Sequence, residues 1–342
     1  MPPLWYCGGI FFGVTLQLIL RHIIFMNRLS FLLLAGIVAL MPTSCNSNDD
    51  GGPASIEIPG VTIDGDVDCC SAEEALQVYK FLQTVKIIPS LSTVVADKYN
   101  VFAYAKNGTF HEGYNEIYFV ATKKSNGNYI KNFDVTAITP LMHMAAMNMS
   151  HSAPASAGVA SFNDNYLAVR RGWVSFPMAT SDDDSWTLAY QADVLGATGS
   201  IGATELTVSA LPDGQKWVQS FKLGDKTYYL SLINPSAWQT GANTISAVLA
   251  LQGDDRSKPY QQATEPLTID IEPLMPDMGN HTSPDNTPLT LQADGTYTGT
   301  INLTMSGLWR IHLTVRDAAG NIVAGGDTLT DGYSSLYWDV TL

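Results

Sequence analysis

Cysteine is scarce in this sequence. The chain has 342 residues but only 4 cysteines, and after Cys45 only the adjacent pair Cys69 and Cys70 remains. Two neighbouring cysteines exclude a disulfide framework across the fold. We interpret them as a vicinal disulfide or a free thiol pair. A thiolate metal ligand is the alternative, although the CxxC spacing typical of such ligands is absent.

Positive charge is also scarce. Lys and Arg total 18 against 32 Asp and Glu, which gives a net charge of −14, and no basic tract is present. Because phosphate binding requires clustered Lys and Arg, this balance excludes nucleic acid as a partner. The sequence also lacks the His-Glu-x-x-His, Gly-x-Ser-x-Gly and phosphate-loop motifs, so we expect no enzymatic activity.

The N-terminal residues 1–44 are predicted to be a leader. Residues 26–44 carry one positive charge, a short apolar run and then small residues, which is the pattern of a secretory signal peptide. Cys45 follows directly and resembles the lipidated cysteine of bacterial lipoproteins, although Pro42 stands where Leu is commonest. The apolar residues 1–25 indicate either a true start at Met26 or an uncleaved membrane anchor.

Residues 45–70 are expected to form the lipidated cysteine and a linker. Residues 46–54 are polar and lack periodicity, which is typical of a flexible tether. The acidic stretch within them resembles the surface-export signal of Bacteroidetes lipoproteins. We therefore expect a lipid-anchored protein of the cell envelope, outside the cytoplasm, at the outer membrane or cell surface.

The remaining sequence contains an internal repeat. In residues 110–115 an aromatic is followed by Gly three positions on and by Asn two further, and residues 238–243 repeat this pattern at an offset of 128. The repeat predicts two tandem domains, 71–212 and 213–342, with a turn at 211–216. Short alternating segments with turn residues about every ten positions predict that each domain is an all-β sandwich.

One helix is predicted at the start of the first domain, over residues 71–82. Ser71 and Glu74 have the spacing of a capping box, in which each side chain bonds the other residue's backbone amide. We expect this helix to lie at the periphery of the sandwich.

Methionine is concentrated rather than scattered. Eight methionines follow Cys45, and six of them lie in two His-bearing segments, 140–151 (PLMHMAAMNMSH) and 273–281 (PLMPDMGNH). Thioether sulfur and imidazole nitrogen together are ligands that a soft metal such as Cu(I) prefers. We therefore predict metal ligands at Met142, His143, Met144, Met147, Met149, His151, Met178, Met275, Met278, His281 and Met305.

Strand periodicity predicts how the methionines of the first segment converge. Residues two apart on a strand lie on the same face, so Met142 and Met144 are expected to share one face of a strand. Met147 and Met149 are expected to do the same.

In the second segment a bend at Pro276 is expected to bring Met275 and Met278 together. Met178 and Met305 each follow a segment on a later strand-like stretch, and each is expected to complete a site from there.

Other interpretations of these residues stay open. Met178 and Met305 are also explained as core filling, and the two segments as partner-binding loops, because methionine adapts to many surfaces. His111 and His312 are interpreted as incidental to metal binding. The acidic residues 182–184 are interpreted as a solvated turn, since the spacing of an EF-hand is absent.

The second domain contains three motifs in order: the Met/His segment 273–281, the strand DGTYTG at 294–299, and MSGLWRI at 305–311. Together they resemble the YtkA-like domain, whose relatives include FixH-type proteins of bacterial copper handling. The resemblance covers about residues 217–325 and implies an immunoglobulin-like sandwich with a link to copper. Asn280 departs from the family pattern because it separates Gly279 from His281.

The first domain resembles the family more loosely. It keeps Pro140, Met142, Met144 and Met178, but its segment is richer in Met and His than the family pattern.

These observations lead to one main hypothesis. We expect an extracytoplasmic, lipid-anchored protein that holds, delivers or sequesters Cu(I), with the membrane and copper-handling or transport proteins of the envelope as partners. The alternative is a non-metal surface lipoprotein that acts as an adhesion, scaffold or accessory binding module, including an accessory to a transport complex.

Overall fold

A computed structural model describes residues 57–62, 71–162, 168–212, 215–233, 238–326 and 334–342. All of them belong to one compact unit, Ile56–Leu342. The predicted leader, Cys45, the tether, Cys69 and Cys70 lie outside the described residues. The proposed domain boundary at 211–216 is only partly described, so the limits 71–212 and 213–342 stay a prediction.

The structure confirms the predicted all-β sandwich class. The described residues contain one α-helix, α1 (Ala72–Leu82), and 24 strands. None of the helical structure in these residues is long and apolar enough to cross a membrane.

The strands of the first half are β1 Lys86–Ile87, β2 Thr93–Val95, β3 Tyr99–Ala105, β4 Phe110–His111, β5 Gly113–Lys123, β6 Tyr129–Ile130, β7 Phe133–Met144, β8 Met149–Ser152, β9 Ala160–Ser161, β10 Arg170–Phe176, β11 Asp184–Val194, β12 Ala197–Leu206 and β13 Val208–Ser209. Those of the second half are β14 Val218–Leu223, β15 Lys226–Ile233, β16 Gly241–Leu251, β17 Gln261–Gln262, β18 Thr268–Met275, β19 His281–Thr282, β20 Thr287–Leu291, β21 Thr296–Leu303, β22 Leu308–Arg316, β23 Ile322–Gly325 and β24 Leu336–Thr341.

Helix α1 is peripheral, as predicted. The Ser71 amide donates to the Glu74 carboxylate at 2.7 Å, and the Glu74 amide donates to Ser71 Oγ at 3.4 Å, so the capping box is formed. Ala75 and Val78 are buried in a small cluster that also contains Tyr118 of β5. The helix therefore covers the outer face of the first sandwich.

The first sandwich consists of two antiparallel sheets. One has the order β1-β3-β5-β10-β9, with β2 on β3 and β6 on β5, and the other has the order β12-β11-β7-β8. Strand β5 is buried on both faces: Ile117 and Phe119 lie in the core between the sheets, whereas Tyr118 and Val120 lie under α1. Because α1 covers the second face, β5 is apolar over a continuous run rather than in alternation.

The second sandwich is formed by one continuous sheet with the order β14-β15-β16-β21-β20-β18-β22-β23, with β24 also paired to β22. It encloses a separate core that contains Trp309, Trp338 and Tyr297, all fully buried. The Lys216 carbonyl accepts from the Asp339 amide at 3.2 Å, which joins the start of the second half of the chain to its last strand.

The predicted repeat recurs in atomic detail at two asparagines. Asn115 Nδ2 donates to the carbonyls of His111 and Gly113, at 2.7 and 2.8 Å, and Asn115 Oδ1 accepts from the His111 amide at 3.1 Å. Asn243 makes the same three bonds to the residues four and two positions before it, at 2.7, 2.8 and 2.9 Å. The glycine two positions before each asparagine has φ of +93° or +98°. The motif therefore fixes equivalent turns in the two sandwiches.

The two sandwiches touch through a buried pair of serines and a half-buried pair of aromatic rings. Ser175 Oγ of β10 donates to Ser231 Oγ of β15 at 2.7 Å, and both residues are fully buried. The rings of His111 and Trp217 meet edge to face at 5.4 Å. Because a buried hydroxyl without a partner is costly, the serine pair fixes how β10 and β15 meet.

Candidate metal centre

The first Met/His segment forms a β-hairpin. Strand β7 ends at Met144, a 3₁₀ turn follows over Ala145–Met147, and the chain returns along β8. Asn148 adopts a left-handed conformation with φ of +46°, which lets the chain reverse. In the register of the hairpin, Met142 lies opposite His151 and Met144 opposite Met149. These four side chains therefore share one face of the hairpin.

A tryptophan completes this face. Trp186 of β11 pairs with Met142 on the side away from His151, so β7 lies between the two strands that carry the indole and the imidazole. The two rings meet edge to face at 5.6 Å, and Trp186 is fully buried. The indole nitrogen donates to the Met178 carbonyl at 3.0 Å, which fixes the ring.

His151 is oriented with one nitrogen available. Its Nδ1 lies 2.9 Å from the Ser152 carbonyl. A carbonyl only accepts, so this bond requires the proton on Nδ1 and leaves the lone pair on Nε2. Metal-binding histidines commonly have their other nitrogen held in this way.

Two predictions about methionines in the first half of the chain are wrong. Met147 and Met149 do not lie on one strand, because Met147 ends the 3₁₀ turn and Met149 begins β8 beyond the left-handed Asn148. Met178 is not on a strand either: β10 ends at Phe176, and Met178 lies in the following bend, packed against the first core.

His143 occupies the opposite face of the hairpin. It is exposed, and its Nδ1 lies 3.4 Å from Ser150 Oγ. Because Met142 and Met144 are its neighbours on β7, strand alternation directs His143 away from them. The structure therefore separates His143 from the face that carries the other candidate ligands.

The second segment forms an equivalent hairpin. Strand β18 ends at Met275, a 3₁₀ turn follows over Pro276–Met278, and Met275 pairs with His281 of β19. The rings of His281 and Trp309 are 6.3 Å apart.

The indole nitrogen of Trp309 donates to the Met305 carbonyl at 2.9 Å, as Trp186 does to Met178. Met305, like Met178, lies in a turn between two strands rather than on a strand, which corrects the prediction for this residue.

The turn of the second hairpin explains how Asn280 is accommodated. Gly279 and Asn280 both have positive φ, +65° and +60°. The extra residue therefore extends the turn, and His281 still lies opposite Met275. In the first hairpin both strands continue two residues beyond the equivalent Met142–His151 pair, which adds the Met144–Met149 pair.

Each hairpin places methionines at two depths. Met142 and Met275 are buried, with 0% and 4% of their surface exposed. Met147, Met149 and Met278 are 55%, 49% and 58% exposed and lie near the hairpin tips. A thioether at the core boundary and a thioether in solvent are thus present in each sandwich.

The available ligands are soft. In the part of the chain that the structure describes, no group of three or more His, Cys, Asp or Glu side chains is placed to hold a metal ion. A metal centre at either hairpin would therefore depend on the thioethers, which suit Cu(I) better than a hard cation. Asp182 and Asp183 are exposed, in agreement with a solvated turn, and Asp184 begins β11 opposite Met144.

His111 and His312 are engaged elsewhere. His111 Nδ1 lies 2.5 Å from the Glu112 carbonyl. His312 is buried and accepts from the Ser334 amide at 3.1 Å, and burial lowers the pKa of its imidazole. Neither belongs to a hairpin that carries the methionines.

Sequence reasoning missed two parts of the site. Neither Trp186 nor Trp309 was predicted to belong to the site, although Trp186 lies eight residues after Met178 and Trp309 four residues after Met305, the residues whose carbonyls they bind. Ser152, which anchors His151, carries no local sequence signal because its partners lie far away in the chain.

Comparison with known proteins identifies one region. No curated protein sequence matches the chain. The pattern of the YtkA-like family matches residues 223–314, which include the second Met/His hairpin, Met305 and Trp309. The chain therefore contains a YtkA-like domain.

Proposed function

We propose that this protein holds Cu(I) at its two Met/His hairpins and delivers or sequesters it. The observation that carries the proposal is the same arrangement in both sandwiches: a buried Met, a cross-strand His and a Trp fixed by a backbone carbonyl. Methionine used only as core filling would not require a histidine opposite it in each copy.

The chemistry of the ligands supports Cu(I). Thioethers carry no proton, so they bind a soft cation without competition from acid, and a neutral imidazole adds a stronger donor. At the first hairpin Met142, Met144, Met149 and His151 share one face. At the second, Met275 and His281 are paired, and Met278 lies at the tip.

The two depths of methionine support transient holding. An exposed thioether such as Met147 or Met278 is accessible to an incoming or departing ion. Met142 and Met275, which are buried, would limit access of water to the bound ion. This arrangement is suited to exchange with another protein rather than to permanent burial of a metal.

The proposal extends to the location of the protein. The predicted signal peptide and Cys45 support a lipid anchor in the cell envelope, with copper-handling or transport proteins there as partners. An adhesion or scaffold role without metal is the alternative, and it would leave the Met–His pairing without a function.

X-ray absorption at the copper edge tests the proposed ligands. The protein loaded with Cu(I) is expected to show both sulfur and imidazole nitrogen around the metal. A Met275→Leu/Met278→Leu variant limits the signal to the first hairpin, where the same mixture is expected. A shell of oxygen and nitrogen without sulfur would contradict thioether binding.

A further inference from the structure

We propose that the second sandwich positions the histidine of the first copper site, through the loop at residues 252–260. The inference rests on the proposed function, because it concerns a ligand of that site. It concerns the contact between the two sandwiches, which a single domain of this kind does not have.

A short chain of hydrogen bonds connects the loop to the imidazole. His151 Nδ1 bonds the Ser152 carbonyl at 2.9 Å, and the Ser152 amide donates to the Arg256 carbonyl at 2.6 Å. The Ser152 hydroxyl also donates to the Pro140 carbonyl of β7. Every polar group of Ser152 is thus engaged, and one of its three partners belongs to the second sandwich.

The junction continues beyond Ser152. The Tyr260 amide donates to the Ala153 carbonyl at 3.0 Å, and the Ala155 amide donates to the Tyr260 carbonyl at 3.2 Å. Ser152, Ala153, Ala155 and Tyr260 are almost completely buried. Because buried backbone groups are costly to leave unpaired, this short pairing fixes the segment that follows His151.

The loop that presents the Arg256 carbonyl is itself ordered by Asp255. Its carboxylate accepts from the Ser257 amide at 2.9 Å and from the Ser257 hydroxyl at 2.6 Å. The Asp255 carbonyl also accepts from the Lys258 amide at 3.1 Å. A side chain that bonds the backbone two residues on holds a tight turn. Asp255 is therefore a positioning residue that acts through Arg256 and Ser152.

The second site is arranged differently. His281 is exposed, and the contacts that place it, with Met275 and Trp309, lie within its own sandwich. Loosening the junction should therefore weaken the first site and leave the second unchanged.

The test compares Asp255→Ala with Asp254→Ala, which removes an exposed neighbouring carboxylate. In the metal-free full chain, nitrogen NMR of the imidazole is expected to show His151 with its proton on Nδ1. Asp255→Ala should convert this to a mixture of tautomers and speed hydrogen exchange at the Ser152 amide, whereas Asp254→Ala should do neither. With the second site removed by Met275→Leu/Met278→Leu, Asp255→Ala should also weaken Cu(I) binding about 10–100-fold, the usual effect of losing an outer contact to a ligand.

Replacement of residues 254–258 by five glycines provides a stronger perturbation, should Asp255→Ala leave amide exchange unchanged. The inference is overturned if wild-type His151 carries its proton on Nε2. It is also overturned if a variant with faster Ser152 exchange keeps the wild-type tautomer and copper affinity. The tautomer measurement needs no copper, so a failure of copper binding in every variant would refute the proposed function separately.

Discussion

Replacing Met142, Met144, Met147 and Met149 with leucine is expected to reduce the Cu(I) bound per chain from two ions to one. Leucine has a similar volume but no donor atom, so the fold should lose less than about 1.5 kcal/mol per buried replacement. The loss in affinity at the first hairpin should exceed the roughly 10–100-fold that follows loss of an outer contact. Competition titration against a Cu(I) chelator measures both stoichiometry and affinity.

The matched control is Met275→Leu/Met278→Leu, which should remove the other ion and leave the first hairpin loaded. Combination of the two sets should abolish binding. Unchanged stoichiometry in the quadruple variant would exclude a first site, and the methionines of the hairpin would then have to be explained by packing or by contact with a partner.

Trp186→Ala and Trp309→Ala should have the largest effects on stability. Both indoles are fully buried, each in the core of its own sandwich. Truncation of a buried aromatic to alanine costs about 3–5 kcal/mol. Urea unfolding should show this loss of stability for each variant. The transition can be monitored by circular dichroism and by the fluorescence of the remaining tryptophans.

Phenylalanine at the same positions separates packing from hydrogen bonding. Trp186→Phe keeps much of the apolar volume but leaves the Met178 carbonyl without its donor, and Trp309→Phe does the same to Met305. The loss should be smaller than for alanine, about 1–3 kcal/mol. A phenylalanine variant as unstable as its alanine counterpart would show that the indole bond, rather than packing, dominates.

The fold class follows from local sequence patterns. Alternation along strands such as β3 and turn residues at regular intervals are properties of short segments, so they predicted sheets without knowledge of the tertiary structure. The repeat was visible for the same reason: the side-chain amides of Asn115 and Asn243 bond residues within four positions of themselves. Because the bonded residues are near each other in the sequence, the same residue spacing is visible in each copy of the repeat.

The site was only partly predictable. Strand periodicity correctly placed Met142 and Met144 on one face, because both lie on β7. The same rule failed for Met147 and Met149, since a one-turn 3₁₀ helix and a left-handed Asn148 interrupt the strand between them. Periodicity describes a strand only while the strand continues, and a hairpin tip cannot be located from methionine spacing alone.

Contacts between distant segments could not be predicted. The bond from the Ser152 amide to the Arg256 carbonyl joins residues 104 positions apart through backbone atoms, which leave no trace in residue identity. Asn280 gives a further example. Residue spacing does not show that His281 lies opposite Met275, which depends on a turn with positive φ at Gly279 and Asn280.

The central claim is that two copies of one Met–His hairpin each hold a Cu(I) ion. A competition titration of the wild-type full chain with Cu(I) tests it most directly. We predict saturation at two Cu(I) ions per chain, with the protein competing against the chelator for each ion. Saturation at none, or stoichiometry that leucine at Met142 and Met275 leaves unchanged, would contradict the account.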